Sequence, residues 1–449
     1  MIDVAIKGGT CVLPWGTKQV DVGLNDGKIC AIGEVGQAKQ VIDATGLHVL
    51  PGILDTQVHM REPGLEYKED LAHGTKAAIL GGITSVFEMP NTKPATITKE
   101  ALNDKLARAA KSAWCDHAFF VGGTPDPNVD WHALEMLPGC AGIKIFMGSS
   151  TGDLLVSEDE AIEAILKKVT RRVSVHSEDE NRLKERFNVA QEGADPSFHP
   201  KWRDEQTAIR ATKRLVAIAD RLGKPVHILH ITTADEMQIL KDYKHVMTVE
   251  CLPQHLTFCD EDYAQLGSRL QMNPPIRAAQ HRQGLWEAVE QGIVDVLGSD
   301  HAPHTLEEKA KPYPESPAGL PGVQTILPIM LNHVNEGRLS LERVVDLMAH
   351  GPQRVFQIAG KGRLALGYDA DVTIVDMNAT HTLKDEDMAS KCGWTPYDGM
   401  TIKGKPTHTI VRGNIVMEHG NVLGEPLGKP VRFIPTLCSA HEDSATMVA

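Results

Sequence analysis

The residues best suited to chemistry in this sequence stand where apolar runs end. Asp55, Gln57, His59 and Arg61 follow HVLPGIL, and Glu88 and Asn91 follow ITSVF. Lys144 interrupts AGIKIFM, His176 closes RVSVH, His230 closes PVHILH, and Gln254 and His255 follow VMTVEC. Asp300, His301 and His304 follow IVDVLGS. One histidine at a strand end is ordinarily a hydrogen-bonded core residue. The recurrence of histidine and carboxylate at matching ends points instead to a nitrogen and oxygen cage for a borderline cation, with zinc the leading candidate. Such an ion pulls the pKa of water toward neutrality and polarises a carbonyl, which is the chemistry of hydrolysis.

Lys144 is the odd member, because an ammonium inside an apolar run loses hydration unless something compensates it. Two readings stand side by side. The side chain snorkels or pairs with Asp300, or its amine takes up carbon dioxide and becomes an anionic carbamate able to bridge two metals.

Such residues can meet only if the elements carrying them are parallel strands. Eight apolar runs bounded by turn residues follow position 47: 48–55, 83–89, 117–122, 141–147, 172–176, 225–230, 246–251 and 293–299. Amphipathic segments such as KEDLAHGTKAAILGG, SEDEAIEAILKKVTR and DEQTAIRATKRLVAIADRLG lie between them. The pattern predicts an α/β fold, a (β/α)8 TIM-like barrel over residues 51–359 whose catalytic groups collect at the carboxyl ends of its strands. Residues 1–50 and 360–449 are β-rich and Gly-punctuated, and predict a small, discontinuous β-sandwich domain built from both chain ends. The final CSAHEDSATMVA reads as a loose tail. TLEEKAKPYPESPAGLPG (305–322) reads equally as a lid or as a surface loop.

Composition narrows the partners. Asp plus Glu number 59 against 46 Lys plus Arg, a net charge of −13 that leaves no reserve for a phosphate backbone and argues against nucleic acid. No apolar run approaches the roughly 18 to 20 residues of a membrane span, and the start lacks a secretory signature, so the chain is expected to be cytoplasmic and free of membrane. The eight cysteines are scattered, without a C-x-x-C pair, and read as buried reduced thiols.

The residues also carry a resemblance. DTQVHMREPG (55–64), FEMPNT (87–92), GIKIFMGSSTG (142–152), VHSEDE (175–180), LHITT (229–233), NPPIR (273–277) and SDHAPHTLEEK (299–309) occur in order and at the spacing of the cyclic amidohydrolases, and within them of bacterial-type dihydroorotases. GRLALGYDADVTIVD (362–376) and WTPYDG (394–399) resemble the returning sandwich of that family. The resemblance implies a metal-dependent cyclic amide hydrolase interconverting N-carbamoyl-L-aspartate and L-dihydroorotate in pyrimidine synthesis. It implies one or two zinc ions. One would be held by His59, Asp300 and a carbamate formed from carbon dioxide on Lys144, and the other by that carbamate, His176 and His230. It makes Asp300 the proton carrier, sets Arg61, Asn91 and His304 on the substrate carboxylate, and places Asn273 on the pyrimidine ring.

Two departures matter. Where the family pattern reads D-x-H-x-H, this chain has Gln57 in place of the first histidine, and Gln254 stands where a histidine commonly precedes His255. A carboxamide is a poor zinc ligand, so the outcome ranges from a weakened first site through a one-metal enzyme to a catalytically impaired scaffold subunit. A hydantoinase or allantoinase is a further alternative. The expected partners are a small-molecule substrate, other copies of the chain in a homo-oligomer and, in the scaffold reading, aspartate transcarbamoylase.

Overall fold

A computed structural model describes residues 1–150, 154–193 and 195–437. Eight strands, Ile53–Val58, Ile83–Glu88, Asp116–Gly122, Cys140–Phe146, Val173–His176, Val226–Ile228, Met247–Cys251 and Val296–Leu297, pair in chain order, every pair parallel. A parallel bridge between Val58 and His301, with His59 N–H donating to the His301 carbonyl at 2.7 Å, closes the first strand on the last. The result is a (β/α)8 barrel with its own large apolar core. Nearly every strand residue is buried, because helices cover the outer face and side chains fill the interior.

The intervening helices start where side chains can satisfy free backbone N–H groups. Asp70 caps Leu71–Leu80, Thr98 caps Lys99–Ser112, Asp204 caps Glu205–Leu222, and Thr233 forms a capping box with Glu236. Gly223 ends the longest of these in the left-handed conformation, as a helix C-terminus favours.

The expected first strand, 48–55, is two strands. His48–Pro51 pairs with Val372–Thr382 outside the barrel, and Ile53–Val58 begins the barrel. The chain changes sheets at Gly52, where a Cβ would lie 2.5 Å from both the Asp371 and Thr84 side chains. The last strand is shorter than expected, only Val296–Leu297 of 293–299.

Both chain ends contribute the extra sheets. Seven strands pair in the order Asn421–Val422, Asn414–Glu418, Thr401–Val411, Val372–Thr382, His48–Pro51, Thr10–Leu13, Gly16–Gln19, so carboxyl- and amino-terminal strands share one sheet. A four-stranded sheet from residues 2–43 packs with it around a second apolar core containing Val22, Leu24, Val49, Val372 and Ile410. The WTPYDG segment is not part of that sandwich core. Trp394 and Tyr397 join Leu252, Phe258 and Leu320 in a third cluster, because the Trp394 indole N–H donates to the His304 carbonyl at 2.7 Å. Among the described cysteines none is disulfide-bonded, and Cys30 is exposed rather than buried as expected, since it lies on an outward-facing strand position. The expected loose tail, 438–449, lies outside the described residues. Among the described residues no helix is long and apolar enough to cross a membrane.

Candidate active site

The carboxyl ends of the barrel strands enclose one pocket, lined by Gln57, His59, Arg61, Asn91, Lys144, Phe146, His176, His230, Asn273 and Asp300 together with Ser150, Ala302, Ala318 and Gly319. Gln57 and Asp300, 243 positions apart in the sequence, meet here because one stands at the end of a parallel strand and the other in the loop just after one. Backbone conformation helps to aim them. Arg61, His230 and Asp300 have φ values of 60°, 38° and 43°, a region costly for side chains bearing a Cβ and held only where the surroundings enforce it. Ser299 N–H and Gln57 N–H both donate to Asp55 Oδ1, at 3.0 and 3.3 Å, so a buried carboxylate fastens the first and last strands just below the pocket. Burial pushes the Asp55 carboxyl up to about 6.

The metal-ligand types fall into two pairs. His176 Nδ1 lies 3.1 Å from His230 Nε2, and His59 Nε2 lies 3.2 Å from Asp300 Oδ1. Ligand atoms at about 2.0 to 2.1 Å from a tetrahedral zinc stand about 3.3 Å apart, so each pair is spaced to share an ion. Among the described residues no three His, Cys, Asp or Glu side chains group around one point, so neither pair is completed by a third residue of those types. The Lys144 charge disfavours protonation of His59, His176 and His230 and favours the ionised form of Asp300.

Second partners fix the imidazoles. His176 Nε2–H donates to Glu178 Oε2 at 2.9 Å, which leaves Nδ1 with its lone pair toward the pocket, and Arg203 forms an ion pair with Glu178 from behind. His59 Nδ1 is 2.8 Å from Asn91 Oδ1, and His230 Nδ1 is buried without a hydrogen-bond partner among the described residues. Burial holds all three histidines below the usual imidazole range, so they are neutral and able to coordinate. Burial pushes Asp300 up, but its hydrogen bond to His59 and the charges of His59, His230 and Lys144 outweigh that and keep it ionised well below the usual carboxylate range. Among the described residues Lys144 makes no ion pair; its Nζ sits 4.5 Å from the Phe146 ring centroid, and it is drawn down to about 7 by burial. A lysine at that value presents a substantial fraction of free amine at neutral pH, as carbamate formation requires.

Arg61 is the pocket's fixed cation. Its Nε–H donates to the Pro303 carbonyl at 3.2 Å, and no carboxylate among the described residues pairs with it. Asn273 lines the pocket with its Oδ1 accepting from His199 Nε2–H at 2.8 Å. His304 does not line it. The ring lies behind Arg61, 3.3 Å from its Nη2, with Nε2 at 3.2 Å from the Ala318 carbonyl and Lys68 Nζ at 3.0 Å from Nδ1. Gln57 does reach the pocket, donating Nε2–H to Asp300 Oδ1 at 3.1 Å. Gln254 instead donates to the Ser299 carbonyl at 2.8 Å and holds the last strand end in place.

Glu178, Phe146 and Lys68 went unnoticed as site residues. Glu178 had a local signal, a carboxylate two residues beyond a strand-ending histidine. The other two had none, since a phenylalanine after a strand lysine and a lysine in a polar loop are ordinary. Outside the pocket a cavity of about 510 Å³, lined in part by Phe187, Trp202, Asn273 and Ala318, leads to solvent.

A (β/α)8 barrel with paired nitrogen and oxygen donors at its mouth defines a metal-dependent hydrolase of the amidohydrolase type. The amidohydrolase family profile matches residues 48–416. A dihydroorotase of Pyrococcus furiosus is 36% identical over 418 residues, covering 91% of this chain and 92% of the relative. One of Methanothermobacter thermautotrophicus is 33% identical over 431 residues, covering 95% and 96%. Among solved structures, the L-hydantoinase (dihydropyrimidinase) of Arthrobacter aurescens superposes with a TM-score of 0.91 at 30% identity, covering 96% of this chain and all of that one. A D-hydantoinase superposes at 0.88 with 28% identity, covering 95% and 98%. The chain belongs to the amidohydrolase family and, within it, groups with the dihydroorotases.

Proposed function

We propose that this chain interconverts N-carbamoyl-L-aspartate and L-dihydroorotate. The observation that carries the reading is Arg61, a buried guanidinium that lines the pocket and has no carboxylate within ion-pair distance among the described residues. A desolvated cation without a counter-charge is costly, and a substrate carboxylate is the group that would complete it, through the planar fork an arginine offers. The curated relatives named dihydroorotase support the same substrate.

The donor set fits a divalent ion of the zinc type. His176 and His230 would hold one side, His59 and Asp300 the other, and Lys144, as its carbamate, would supply the oxygen ligand common to both. The carbamate forms when the neutral amine attacks carbon dioxide, making an N–C bond and releasing the amine proton. When bound, the ion supplies Lewis acidity toward the amide carbonyl and lowers the pKa of water.

The chain's own residues do the rest. Arg61 fixes the substrate carboxylate, with Asn91 also lining the pocket, and so orients the ring amide toward Asp300. In the hydrolytic direction Asp300 Oδ accepts the proton of the attacking water and delivers it to the ring nitrogen as the C–N bond breaks. In the biosynthetic direction it takes a proton from the carbamoyl nitrogen as that nitrogen attacks the side-chain carboxyl, and water departs. Gln57 and His59, both against Asp300 Oδ1, keep the carboxylate in one orientation. His304 would act from behind by steadying Arg61.

The hydantoinase alternative rests on the close superposition with two hydantoinases. One assay separates the readings. The purified protein is expected to open dihydroorotate, followed by ultraviolet absorbance, and to turn over 5,6-dihydrouracil, the same ring without the carboxylate, at least a hundredfold less efficiently. Equal kcat/KM for the two would overturn the assignment. A scaffold without activity would open neither. Light scattering on the same preparation, alone and with aspartate transcarbamoylase, tests the expected homo-oligomer and association.

A further inference from the structure

Gln57 lies against the donor cluster but is not a zinc ligand type, and its two ends behave differently. Nε2–H donates to Asp300 Oδ1 at 3.1 Å, whereas Oε1 is buried with no hydrogen-bond partner among the described residues. The same Asp300 oxygen is the one 3.2 Å from His59 Nε2. An ion on this side would therefore share its carboxylate oxygen with a polarised N–H directed at it. The Arg61 cation also acts on His59. Both disfavour added positive charge at short range in a poorly solvated pocket.

The opposite side has the reverse character. His176 and His230 offer two nitrogens 3.1 Å apart, and the Glu178 carboxylate accepts from the outer nitrogen of His176, which fixes the ring and raises its basicity toward a metal. With Lys144 as a third ligand this side reaches three protein ligands and an open position, the arrangement of a catalytic zinc.

From this asymmetry we infer that the chain retains one divalent ion, on the His176, His230 and Lys144 side, and that Gln57 is the residue that keeps the His59 and Asp300 side from retaining a second. The inference rests on the proposed hydrolase reading for the presence of an ion and adds its number, its place and its determinant. Outer-shell hydrogen bonds commonly change metal affinity by about 10- to 100-fold, so a second equivalent is expected to bind more weakly than the first by a factor in that range.

The test uses the full-length chain, stripped with chelator, reloaded with Zn²⁺ in bicarbonate buffer, desalted, and read by inductively coupled plasma mass spectrometry. Wild type is expected to retain one equivalent, and Gln57→His and Gln57→Glu two. His59→Ala is expected to keep the retained equivalent and His176→Ala to lose it. With Co²⁺, wild type is expected to give the electron paramagnetic resonance signal of an isolated ion, and Gln57→Glu that of a coupled pair. Two retained equivalents in wild type, none at all, or an ion lost in His59→Ala but kept in His176→Ala would each overturn the inference. No substrate enters these measurements, so a failure of dihydroorotate turnover would not be mistaken for a failure here.

Discussion

Arg61 and Lys144 show how burial turns ordinary side chains into reagents. The Arg61 guanidinium is brought down to about 10 by burial, with Asp300, Glu88 and Glu308 acting against that, so it remains charged at every working pH. A lysine in its place would keep the charge and lose the fork. Arg61→Lys is therefore expected to raise KM for dihydroorotate by about 10- to 100-fold, the equivalent of one charge-assisted hydrogen bond, with a smaller effect on kcat. Steady-state kinetics checks this, and an unchanged KM would remove Arg61 from the substrate. Lys144 carries a pH dependence of definite sign. Its value is about 7 in the folded chain against 10.5 as the reference, so between those limits the unfolded state binds more protons and stability rises with pH. Metal-free protein in carbon dioxide-depleted buffer is thus expected to gain melting temperature from pH 7 to 9 relative to Lys144→Met, and parallel curves would contradict it. Much of this residue set was legible in the sequence, because most members stand at or just after the end of an apolar run and strand ends meet at one face of a barrel. What stayed hidden was which neighbour each group finds. Nothing in the sequence shows that His304 turns to Lys68 and Ala318, or that Gln57 turns its N–H to Asp300.

At the level of elements, the segment between the last barrel strand and the next helix was open between lid and surface loop, and the structure makes it a wall. Leu306–Lys309 is a short helix whose last residue is buried, with Lys309 Nζ donating to the carbonyls of Gln271, Pro317 and Gly319 at 3.2, 2.8 and 3.0 Å. Gln271 lies two residues before Asn273, and Ala318 and Gly319 line the pocket, so one ammonium ties both stretches together. Lys309→Met leaves three buried carbonyls without that donor and is expected to cost about 2–4 kcal/mol. Because the wall carries Asn273, KM is also expected to rise severalfold with kcat little changed, whereas a purely structural role would lower the melting temperature alone. Kinetics beside a denaturant melt separates the two, and Lys309→Arg, which keeps the donors, should restore part of KM. The parallel strands themselves were legible from their apolar runs. Their ends were not, because Gly52 passes the chain from one sheet to the other within a continuous apolar run, and only the contacts with Asp371 and Thr84 reveal the crossing.

Across the whole molecule, the barrel and the sheets from the chain ends are joined by a charge cluster that composition could not disclose. Lys361 Nζ lies 2.6 Å from Asp116 Oδ2, 2.6 Å from Asp371 Oδ2 and 3.2 Å from Asp369 Oδ2, all nearly inaccessible to solvent. Arg412 pairs with Asp116 and donates its backbone N–H to Asp371 Oδ1 at 2.8 Å. Asp116 opens the third barrel strand, at the end opposite the pocket, while Asp369 and Asp371 lead into the long strand 372–382 of the outer sheet. Both regions were expected from the sequence, but a lysine and three aspartates separated by 245 to 255 positions, or by only 8 to 10, give no pattern that marks them as partners. Removing the lysine leaves carboxylates buried with less compensating charge, which commonly costs about 3–5 kcal/mol. Lys361→Met is therefore expected to lower the urea midpoint markedly without altering retained metal or KM of the folded fraction, because the cluster stands at the far end of the barrel. Adding Asp371→Asn removes the carboxylate left without a cationic side chain and should recover part of the loss, since the penalty lies in that charge and not in an unfilled volume. A double variant less stable than Lys361→Met alone would show instead that the Asp371 contacts to Arg412, rather than the lysine, hold the two regions together.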